Sequence, residues 1–508
     1  MAKRPSEPAS GGRPFVHRFR TEHNYYAYDV NLNTVLRLEP IEYSVLDDFG
    51  RLTLIEILQK YKDSYTLKQL KDAYRRIEQI RRFHGFFSEN RPQHIVYPLD
   101  EVSLRRLHEA SLTTLLLSVT EQCNLRCDYC AFSGTYSNNR KHTSKRMEWD
   151  IAKRAIDFLR AHSKMSEHVH LGFYGGEPLL RASFVERCMD YASSIFGRKP
   201  LTFGITTNGT RLRESIFRML VANNVDLLVS VDGPQAVHDR YRRYIHGGPT
   251  FEPIIQNLSK LQNAFPDYYL NKVSFNMVFA PPYDYDAIRE FVRSYPLINQ
   301  NKFELSFVST HNSSFFDRFS PSDLSMIEFE NGATQYFEAL ESQSMRGANL
   351  DPDRLPWRLF LKGLEALCTR LTPTPPLPSS FHPGGICIPG ERKLFVSADG
   401  RFFPCERVNS SNDLYSLGSV YSGLDTTKAL SLISNYTKVH DECRDCYALR
   451  HCGVCFVDTA VTGAFSKSEK MARCESAREL FDKRMTTIMR LLEKDIPLRD
   501  FAKNLTIL

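Results

Sequence analysis

The chain has 508 residues, of which 42% are hydrophobic, and this length suits two or three globular domains with real cores. Its net charge of +7 is a small excess of 66 basic over 59 acidic residues, which by itself does not indicate a nucleic-acid partner. No apolar stretch is long enough to span a bilayer and no secretory signal follows the first residues, so we expect a cytoplasmic protein without a membrane partner. In that reducing compartment, 12 cysteines indicate metal or cluster sites and not disulfides.

The N-terminal region is predicted to be a short tail followed by a small α+β module. Residues 1–15 are rich in Pro, Gly and Ser and are expected to be disordered. Apolar and polar residues then alternate on both sides of a turn at Asn31 and Asn33, which predicts a β-hairpin over residues 24–38. Apolar residues recur next at helical spacing, at Leu67, Leu70, Tyr74, Ile77 and Ile80. We therefore place an α+β module at residues 16–105.

Six short apolar runs separated by helical patterns follow in residues 110–325. The runs are LTTLLLSVT, HVHLGFYGG, LTFGITTNG, DLLVSVDG, VSFNMVFA and KFELSFVST. Strands that alternate with helices predict right-handed βα units and a parallel sheet. Functional side chains of such folds collect where the parallel strands end, and polar motifs follow several of these runs.

Three cysteines follow the first run at C-x3-C-x2-C spacing: Cys123, Cys127 and Cys130. A 4Fe–4S cluster usually takes four thiolates, so three grouped ligands would leave one iron open for another molecule. A structural zinc knuckle is the alternative for such a group. A closed zinc site needs a fourth ligand nearby, however, and the next histidine, His142, lies beyond a polar loop.

The C-x3-C-x2-C motif at the end of a predicted strand resembles the signature of the radical S-adenosylmethionine (SAM) enzymes. The resemblance implies that the open iron binds the amino and carboxylate groups of SAM. An electron from the cluster would then cleave SAM to a 5'-deoxyadenosyl radical, which takes a hydrogen atom from the substrate. It also implies that residues 110–325 form a partial (β/α)6 barrel and not an open dinucleotide-binding sheet.

The resemblance also assigns residues to the SAM site. The element Gly175-Gly176-Glu177-Pro178, at the end of the second run, matches the family segment that holds the SAM amino group. Gly-Gly before Pro is also an ordinary turn. Tyr129 matches an aromatic position against the adenine.

Further SAM contacts are implied at the ends of the third and fourth runs. Ser230 and Arg242 match a serine and an arginine that bind the SAM carboxylate, although Arg240 or Arg243 could replace Arg242. Asn208 and Asp232 could bind ribose hydroxyls or a carboxylate. Their alternative role is turn formation or helix capping.

A second group of cysteines follows a helical and Pro-rich linker at residues 326–382. It comprises Cys387, Cys405, Cys443, Cys446, Cys452, Cys455 and Cys474. Their nesting resembles the SPASM extension of radical SAM peptide and protein maturases, which carries two auxiliary 4Fe–4S clusters. We therefore expect a Cys-rich SPASM domain at residues 383–480 and a C-terminal helix or tail at residues 481–508.

The resemblance divides these thiols between two clusters. Cys443, Cys446, Cys452 and Cys474 would bind the distal cluster, whereas Cys387, Cys405 and Cys455 would bind the proximal one. A zinc ribbon is the alternative for the stretch from Cys443 to Cys455.

The proximal set departs from the family pattern because no cysteine lies between Cys387 and Cys405. Its cluster would keep an open iron for a substrate thiolate, or would borrow Cys368. Glu406 follows Cys405, where some relatives place a base that acts on the substrate. A surface salt bridge is the alternative role of Glu406. Cys188 is expected to be a buried apolar thiol in a helix.

The N-terminal module resembles the winged-helix-like leader-recognition domains of peptide maturases, in which a leader peptide adds a strand to a hairpin edge. The alternative is a cap for the open barrel. If the module binds a leader, deletion of residues 1–105 should weaken precursor binding and leave SAM cleavage intact.

Together these patterns predict a three-part radical SAM enzyme. It would take hydrogen from a ribosomally made peptide or protein and form an oxidative thioether or carbon–carbon cross-link, with a one-electron donor such as flavodoxin or ferredoxin. One alternative is an anaerobic sulfatase-maturating, formylglycine-forming enzyme. Another is a non-catalytic iron–sulfur electron carrier, which would form no 5'-deoxyadenosine because it needs no SAM pocket.

Overall fold

The computed structural model describes residues 12–136, 139–311, 313–327, 355–461 and 463–494, without the side chains of 355–362. Most of the predicted tail, the linker residues 328–354 and the residues after 494 lie outside this part of the chain. The predicted tail ends earlier than expected, because Phe15 is buried and its backbone N–H donates to the Ser88 carbonyl at 2.8 Å. No helix of the described residues is both long and apolar enough to cross a membrane.

The secondary structure alternates between strands and helices through most of the chain. The strands are β1 (Val16–Arg20), β2 (Tyr25–Asp29), β3 (Thr34–Leu38), β4 (His94–Ile95), β5 (Thr114–Thr120), β6 (Val169–Gly175), β7 (Leu201–Thr207), β8 (Asp226–Ser230), β9 (Val273–Phe279), β10 (Lys302–Phe307), β11 (Ser380–Phe381), β12 (Lys393–Val396), β13 (Phe402–Phe403), β14 (Gly418–Ser419), β15 (Gly423–Leu424), β16 (Ala460–Val461) and β17 (Ala464–Phe465). The helices are α1 (Pro40–Leu46), α2 (Leu54–Tyr61), α3 (Leu67–His84), α4 (Glu101–His108), α5 (Trp149–His162), α6 (Ala182–Phe196), α7 (Glu214–Ala222), α8 (Gln235–Tyr241), α9 (Phe251–Ala264), α10 (Pro266–Lys272), α11 (Tyr285–Ser294), α12 (Leu355–Arg370), α13 (Thr426–Thr437) and α14 (Lys467–Glu493).

The N-terminal module is a three-stranded antiparallel sheet in the order β1-β2-β3, followed by α1 to α3. The predicted hairpin is confirmed as β2 and β3, and Asn33 in its turn has the left-handed φ of 54°. Strand β1 was not predicted. Thr53 and Thr66 cap α2 and α3, and α3 ends at Gly85 with a φ of 76°, a conformation that glycine adopts without strain.

The six predicted strands of the barrel are β5 to β10, and they pair in parallel in sequence order. Helices pack their apolar faces on the outside of this sheet, as α5 does with Ala155, Ile156 and Leu159. The parallel sheet expected from the sequence is therefore the core of the molecule.

The Cys-rich region adds two strands to the barrel sheet, which the sequence patterns did not indicate. β12 pairs in parallel with β5, with Lys393 opposite Thr114, and β13 pairs antiparallel with β12. The segment between Cys387 and Cys405 is thereby attached to the barrel through backbone hydrogen bonds. This attachment brings the residues after β13 close to the barrel cavity.

The N-terminal module shares a hydrophobic core with the C-terminal region. Phe15, Tyr26 and Tyr28 belong to one buried cluster with Met485 and Ile488 of α14. Removing residues 1–105 would uncover this apolar surface, so the deletion would test folding as well as peptide binding. Point substitutions are the better probe of the module.

Candidate active site

A cavity of about 460 Å³ lies between the barrel and the Cys-rich region. From the barrel it is lined by Cys123, Cys127, Tyr129, Cys130, Gly175, Gly176, Asn208, Ser230 and Arg242. From the C-terminal side it is lined by Glu406, Arg407, Asn409, Asn412, Tyr415 and Asp458. One cavity thus joins most of the predicted SAM-site residues to the residue predicted as a base.

The first three cysteines project from the loop that follows β5. This loop is tied to the segment after α8, because the Arg126 N–H donates to the Arg243 carbonyl at 2.8 Å. Backbone N–H groups point at the sulfurs, with Leu125 N 3.4 Å from Cys123 Sγ and Phe132 N 3.5 Å from Cys130 Sγ. Such donors stabilise thiolates, which are the form that binds metal.

The chemistry of this loop fits an iron–sulfur cluster. Burial raises the pKa of Cys123 to about 11 and that of Cys127 to about 12, so cluster binding must displace protons from these thiols. Across the described residues, no three His, Cys, Asp or Glu side chains converge closely enough to ligate one metal ion. A 4Fe–4S cluster binds each thiolate at a different iron, so the three cysteines of this loop need not converge on one atom.

The two glycines at the end of β6 hold the cysteine loop at close range. The Gly176 N–H donates to the Thr120 carbonyl and the Glu177 N–H to the Gln122 carbonyl, both at 2.8 Å. An added Cβ at Gly175 would overlap the Thr120 carbonyl, and Gly175 also has a φ of 129°. These positions therefore require glycine because the backbone before Cys123 passes against them.

The Glu177 carboxylate turns toward the protein and not toward the cavity. It is 1% exposed and accepts hydrogen bonds from Leu179 N at 3.0 Å, Thr207 Oγ1 at 2.7 Å and Asn208 N at 2.7 Å. Burial raises its pKa, and these three donors oppose the rise. Glu177 thus ties the end of β6 to β7, and Pro178 begins a short 3-10 helix. A SAM contact of this element would come from its backbone.

Tyr129, Asp232 and Arg242 form a buried hydrogen-bonded group beside the cysteines. Arg242 Nη1 donates to the Tyr129 hydroxyl at 2.9 Å and lies 3.9 Å from Asp232 Oδ1, while the Tyr129 hydroxyl donates to Asp232 Oδ2. Asp232 Oδ1 also accepts from Val278 N at 3.1 Å. The Asp232 carboxylate is therefore committed to orienting Arg242 and Tyr129, and it does not line the cavity.

The choice among three arginines is decided by their surroundings. Arg242 lines the cavity, and its buried Nε has no hydrogen-bond partner in the described part of the chain. Arg240 Nη1 donates to the Pro282 carbonyl at 2.7 Å, and Arg243 Nη1 to the Gly247 carbonyl at 3.2 Å. Of the three, Arg242 is the one that lines the cavity with an unpartnered guanidinium nitrogen among the described residues.

His238 supports Arg242 from behind and was missed by the sequence reasoning. It is fully buried, and its Nδ1 accepts from Asp232 N at 3.3 Å. Its Nε2 lies 3.1 Å from Thr250 Oγ1, and that hydroxyl donates to the Arg242 carbonyl at 2.6 Å. Burial lowers the pKa of His238, which favours the neutral ring. Such a ring accepts the hydrogen bond from Asp232 N at Nδ1 and donates one to Thr250 Oγ1 from Nε2. The available signal in the sequence was that His238 lies in the same segment as Arg242, VHDRYRR at residues 237–243.

Asn208 braces the first cysteine. Its Nδ2 donates to Asn124 Oδ1 at 3.0 Å and lies 3.7 Å from Cys123 Sγ, and its Oδ1 accepts from Thr210 N at 3.0 Å. These bonds satisfy most of the amide, which favours the turn-forming role over ribose binding. Ser230 is buried at the end of β8 and lines the same wall.

The opposite wall of the cavity contains Glu406. Its Oε2 lies 2.7 Å from Lys393 Nζ in an ion pair, and this oxygen accepts no hydrogen bond from the residues that the structure describes. The Arg140 guanidinium donates to the Glu406 carbonyl and stacks over Phe132, with its central carbon 4.4 Å from the ring centroid. Glu406 is thus ion-paired with Lys393 and also lines the cavity.

Burial raises the pKa of Cys387 and of Cys455 in the predicted proximal set. The neighbouring thiol of Cys405 raises both further, as Cys387 does for Cys455. Cys368 lies elsewhere. It is fully buried on α12 in the hydrophobic cluster shared with α14, and Cys188 is fully buried on α6. Cys368 thus packs in a different hydrophobic cluster from Cys405 and Cys455.

The four thiols of the predicted distal set line a separate small cavity. They are Cys443, Cys446, Cys452 and Cys474. Lys470, one turn before Cys474 on α14, is 1% exposed and its Nζ lies 3.1 Å from Cys443 Sγ. A buried ammonium beside these sulfurs stabilises their thiolate forms, and no motif in the sequence had indicated it.

Comparisons with known proteins identify a family domain and relatives of the chain. The model of the radical SAM superfamily matches residues 117–294. The cysteine-type anaerobic sulfatase-maturating enzyme of Clostridium perfringens is 23% identical over 350 residues, which are 67% of this chain and 87% of that protein. The serine-type enzyme of Bacteroides thetaiotaomicron is 31% identical over 155 residues, which are 30% of this chain and 36% of that protein.

Another relative, an uncharacterised protein of Methanocaldococcus jannaschii, is 33% identical over 136 residues, 27% of this chain and 44% of its own length. The chain thus spans less than half of this protein and of the Bacteroides enzyme. The solved structure described as "Native anSMEcpe with bound AdoMet" shares the fold with a TM-score of 0.56 and 19% identity, over 76% of this chain and 99% of that one. We conclude that residues 117–294 form a radical SAM domain.

Proposed function

We propose that the chain is a radical SAM maturase that oxidises a side chain of a peptide or protein and carries two auxiliary 4Fe–4S clusters in a SPASM domain. One observation carries this proposal: a single cavity is walled by the C-x3-C-x2-C loop and Arg242 on one side and by Glu406 on the other. A substrate between these walls would lie close to the SAM site and to the proximal thiols together. A simple electron carrier has no need of such a cavity.

The residues of the cavity divide the tasks of binding and proton transfer. When bound, SAM and its cluster supply the radical chemistry that removes a hydrogen atom from an unactivated carbon. Arg242 binds the SAM carboxylate through its free Nε, and Asp232 and Tyr129 hold the guanidinium in place. Glu406 accepts a proton from the oxidised substrate on the opposite wall.

The first candidate reaction is oxidation of a cysteine or serine side chain to formylglycine. The cysteine-type and serine-type sulfatase-maturating relatives and the shared fold support it. This reaction needs no more of the chain than the barrel and the Cys-rich domain, which are also the parts that carry the cavity.

The second candidate is an oxidative cross-link in a ribosomally made peptide. The fold match leaves about a quarter of this chain without a counterpart, since it covers 76% of the residues. The N-terminal module has a comparable length. In addition, the proximal set offers three cysteines, so a substrate thiolate would have an open position.

One experiment tests the proposal and separates the two reactions. Reconstituted, reduced protein and SAM are incubated with a sulfatase-derived cysteine peptide, its serine analogue, and a cysteine-containing precursor peptide. The proposal predicts 5'-deoxyadenosine with at least one peptide. Mass spectrometry after treatment with a carbonyl-reactive hydrazide would reveal the aldehyde of formylglycine, whereas a cross-linked peptide would have lost two hydrogen atoms and would not react with the hydrazide. Absence of 5'-deoxyadenosine in every mixture would refute the proposal that the chain is a radical SAM maturase.

Glu406→Gln is expected to lower product formation by about 10²–10⁴-fold, because the amide cannot take the substrate proton. SAM cleavage without peptide should stay unchanged. Lys393→Met is the matched control, since it removes the ion-pair partner of Glu406 and keeps the carboxylate. Equal rates for the two variants would show that Glu406 serves only the ion pair.

We also propose that the N-terminal module binds the leader of a precursor peptide at β3. This strand forms an edge of the three-stranded sheet and has no partner strand on its outer side within the described residues. Arg37 is its exposed side chain. Basic residues on the exposed face of α3 would favour an acidic leader; they are Lys68, Lys71, Arg75 and Arg82.

Addition of a precursor peptide is expected to slow amide hydrogen exchange in β3, because a docked strand takes up its free N–H and C=O groups. Hydrogen-exchange mass spectrometry of the full chain would measure the effect, with β1 and the barrel strand β9 as internal controls. Protection confined to the barrel would contradict leader binding by this module.

A further inference from the structure

The turn of the N-terminal hairpin lies against the loop that carries the distal cysteines. Arg450 Nε donates to the Val30 carbonyl at 2.6 Å, and its Nη2 donates to the Asn31 carbonyl at 2.7 Å. Asn31 is fully buried. A hairpin turn normally faces solvent, so these contacts need a separate explanation.

Asn33, in the same hairpin turn, uses both polar atoms of its side-chain amide to bond neighbouring groups. Its Nδ2 donates to the Arg370 carbonyl at 2.7 Å and to the Thr372 carbonyl at 2.8 Å. Its Oδ1 accepts from the Tyr28 hydroxyl at 2.8 Å and lies 2.8 Å from His451 Nε2. The left-handed backbone of Asn33 places the amide in this position.

The residues of the Cys-rich region that contact the hairpin lie next to two of the distal thiols in the sequence. Arg450 and His451 directly precede Cys452. Tyr447 directly follows Cys446, and the ring of His17 in β1 stacks on it with a centroid distance of 3.8 Å. Movement of the hairpin would therefore move the backbone of the two ligand-bearing segments.

The cysteine loop has little freedom on its other side. An added Cβ at Gly384 would overlap the Arg450 carbonyl, and one at Gly385 would overlap the Cys452 carbonyl. The loop is thus held between the hairpin turn and the glycine segment before Cys387. A closely packed loop transmits displacement and does not absorb it.

A shared apolar core reinforces these polar contacts. Tyr28 packs on Phe481 of α14 with ring centroids 5.5 Å apart, and the His451 ring stacks on Phe481 at 5.7 Å. Cys443 belongs to the same buried cluster, and α14 carries Cys474. All four distal thiols are therefore linked to the hairpin through direct neighbours or through α14.

We propose that docking of the hairpin turn and loading of the distal four-cysteine site stabilise each other. A bound cluster fixes the segments around Cys446 and Cys452, and these hold Arg450, His451 and Tyr447 in position for the hairpin. The docked hairpin in turn prearranges the same segments for the cluster. Such coupling is reciprocal, so each half can be measured separately. It rests on the proposed function only in that the distal thiols bind a cluster.

The coupling has a consequence for peptide recognition. β3 begins at Thr34, directly after the turn residue Asn33, and it is the strand proposed to receive the leader. Asn33, Arg450 and His451 are positioning residues in this scheme, because they act on the distal site through its backbone. The hairpin joins the proposed leader site to an auxiliary cluster site.

The first half of the test uses hydrogen exchange on the full reconstituted chain. Cys474→Ala removes a distal ligand, and residues 25–38 should then exchange roughly tenfold faster than in the wild type. Cys387→Ala removes a proximal ligand instead and should leave exchange in residues 25–38 unchanged. Equal protection in all three proteins, with the expected loss of iron, would overturn the coupling and leave the proposed function standing.

The second half measures retention of the cluster. Asn33→Gly keeps the left-handed turn but removes four side-chain hydrogen bonds, and it should speed iron loss to a chelator roughly tenfold. Asn224→Gly is the matched control, because Asn224 also has a positive φ, of 48°, but lies exposed in the barrel. Equal iron loss from both variants would overturn the coupling.

A third variant guards against general unfolding of Asn33→Gly. Arg450→Lys keeps a positive charge but loses the planar donors that reach two carbonyls, so it should also speed distal iron loss. Wild-type protein that binds no iron at the distal thiols would overturn both the coupling and the auxiliary-cluster assignment.

Discussion

Alanine at Cys123, Cys127 and Cys130 together is expected to lower the iron content of the reconstituted chain from about twelve atoms to about eight. It should also abolish 5'-deoxyadenosine formation, because these thiols line the cavity wall beside Arg242. Iron and sulfide analysis, followed by an assay of SAM cleavage under reducing conditions, would measure both effects.

Cys188→Ala is the control for the triple variant. Cys188 is fully buried in the core on α6, and its loss should reduce stability without changing the iron content. Wild-type protein with about four irons would mean that the C-terminal thiols bind no clusters, and the auxiliary-cluster assignment would be wrong. Retention of about twelve irons by the triple variant would contradict the assignment of the C-x3-C-x2-C loop.

Arg242→Lys is expected to weaken SAM binding by roughly tenfold to a hundredfold, the equivalent of about 1.5–3 kcal/mol for a lost hydrogen bond to a charged group. Lysine retains the positive charge near Asp232 but has a single side-chain nitrogen. It therefore cannot bond Tyr129 as Nη1 of Arg242 does and also replace the Arg242 Nε that faces the carboxylate. Anaerobic calorimetric titration with SAM would measure the dissociation constant, with equal iron content verified in both proteins.

Arg240→Lys is the matched control because Arg240 is two positions earlier and bonds the Pro282 carbonyl instead. Its SAM dissociation constant should stay close to that of the wild type. An unchanged constant for Arg242→Lys, or an equal loss in Arg240→Lys, would contradict the role of Arg242 in carboxylate binding.

Local patterns in the sequence were sufficient to predict the barrel strands, the β2–β3 hairpin and the first cysteine loop. Each depends on residues that are close in the chain: alternating apolar runs, a turn at Asn33, and the spacing of Cys123, Cys127 and Cys130. The family resemblance then extended these patterns to Arg242, which the structure places in the cavity.

Contacts between distant residues were not predictable in the same way. The sequence suggested that Glu177 and Asp232 lie near SAM, but their carboxylates bind protein groups, and this depended on how β6, β7 and α8 come together. His238 and Lys470 were missed because a buried polar residue has no local signature until its partners are known.

The sequence by itself determined the chemistry available to this protein, because three thiols at a set spacing, a Gly-Gly turn and a suitably placed arginine are encoded locally. Only the tertiary structure decided where that chemistry meets the rest of the chain. Pairing of β12 with β5 brings Glu406 to the cavity, and burial of Asn31 against Arg450 joins the N-terminal module to the distal thiols. Both depend on hydrogen bonds and apolar burial between segments hundreds of residues apart, which no local pattern records.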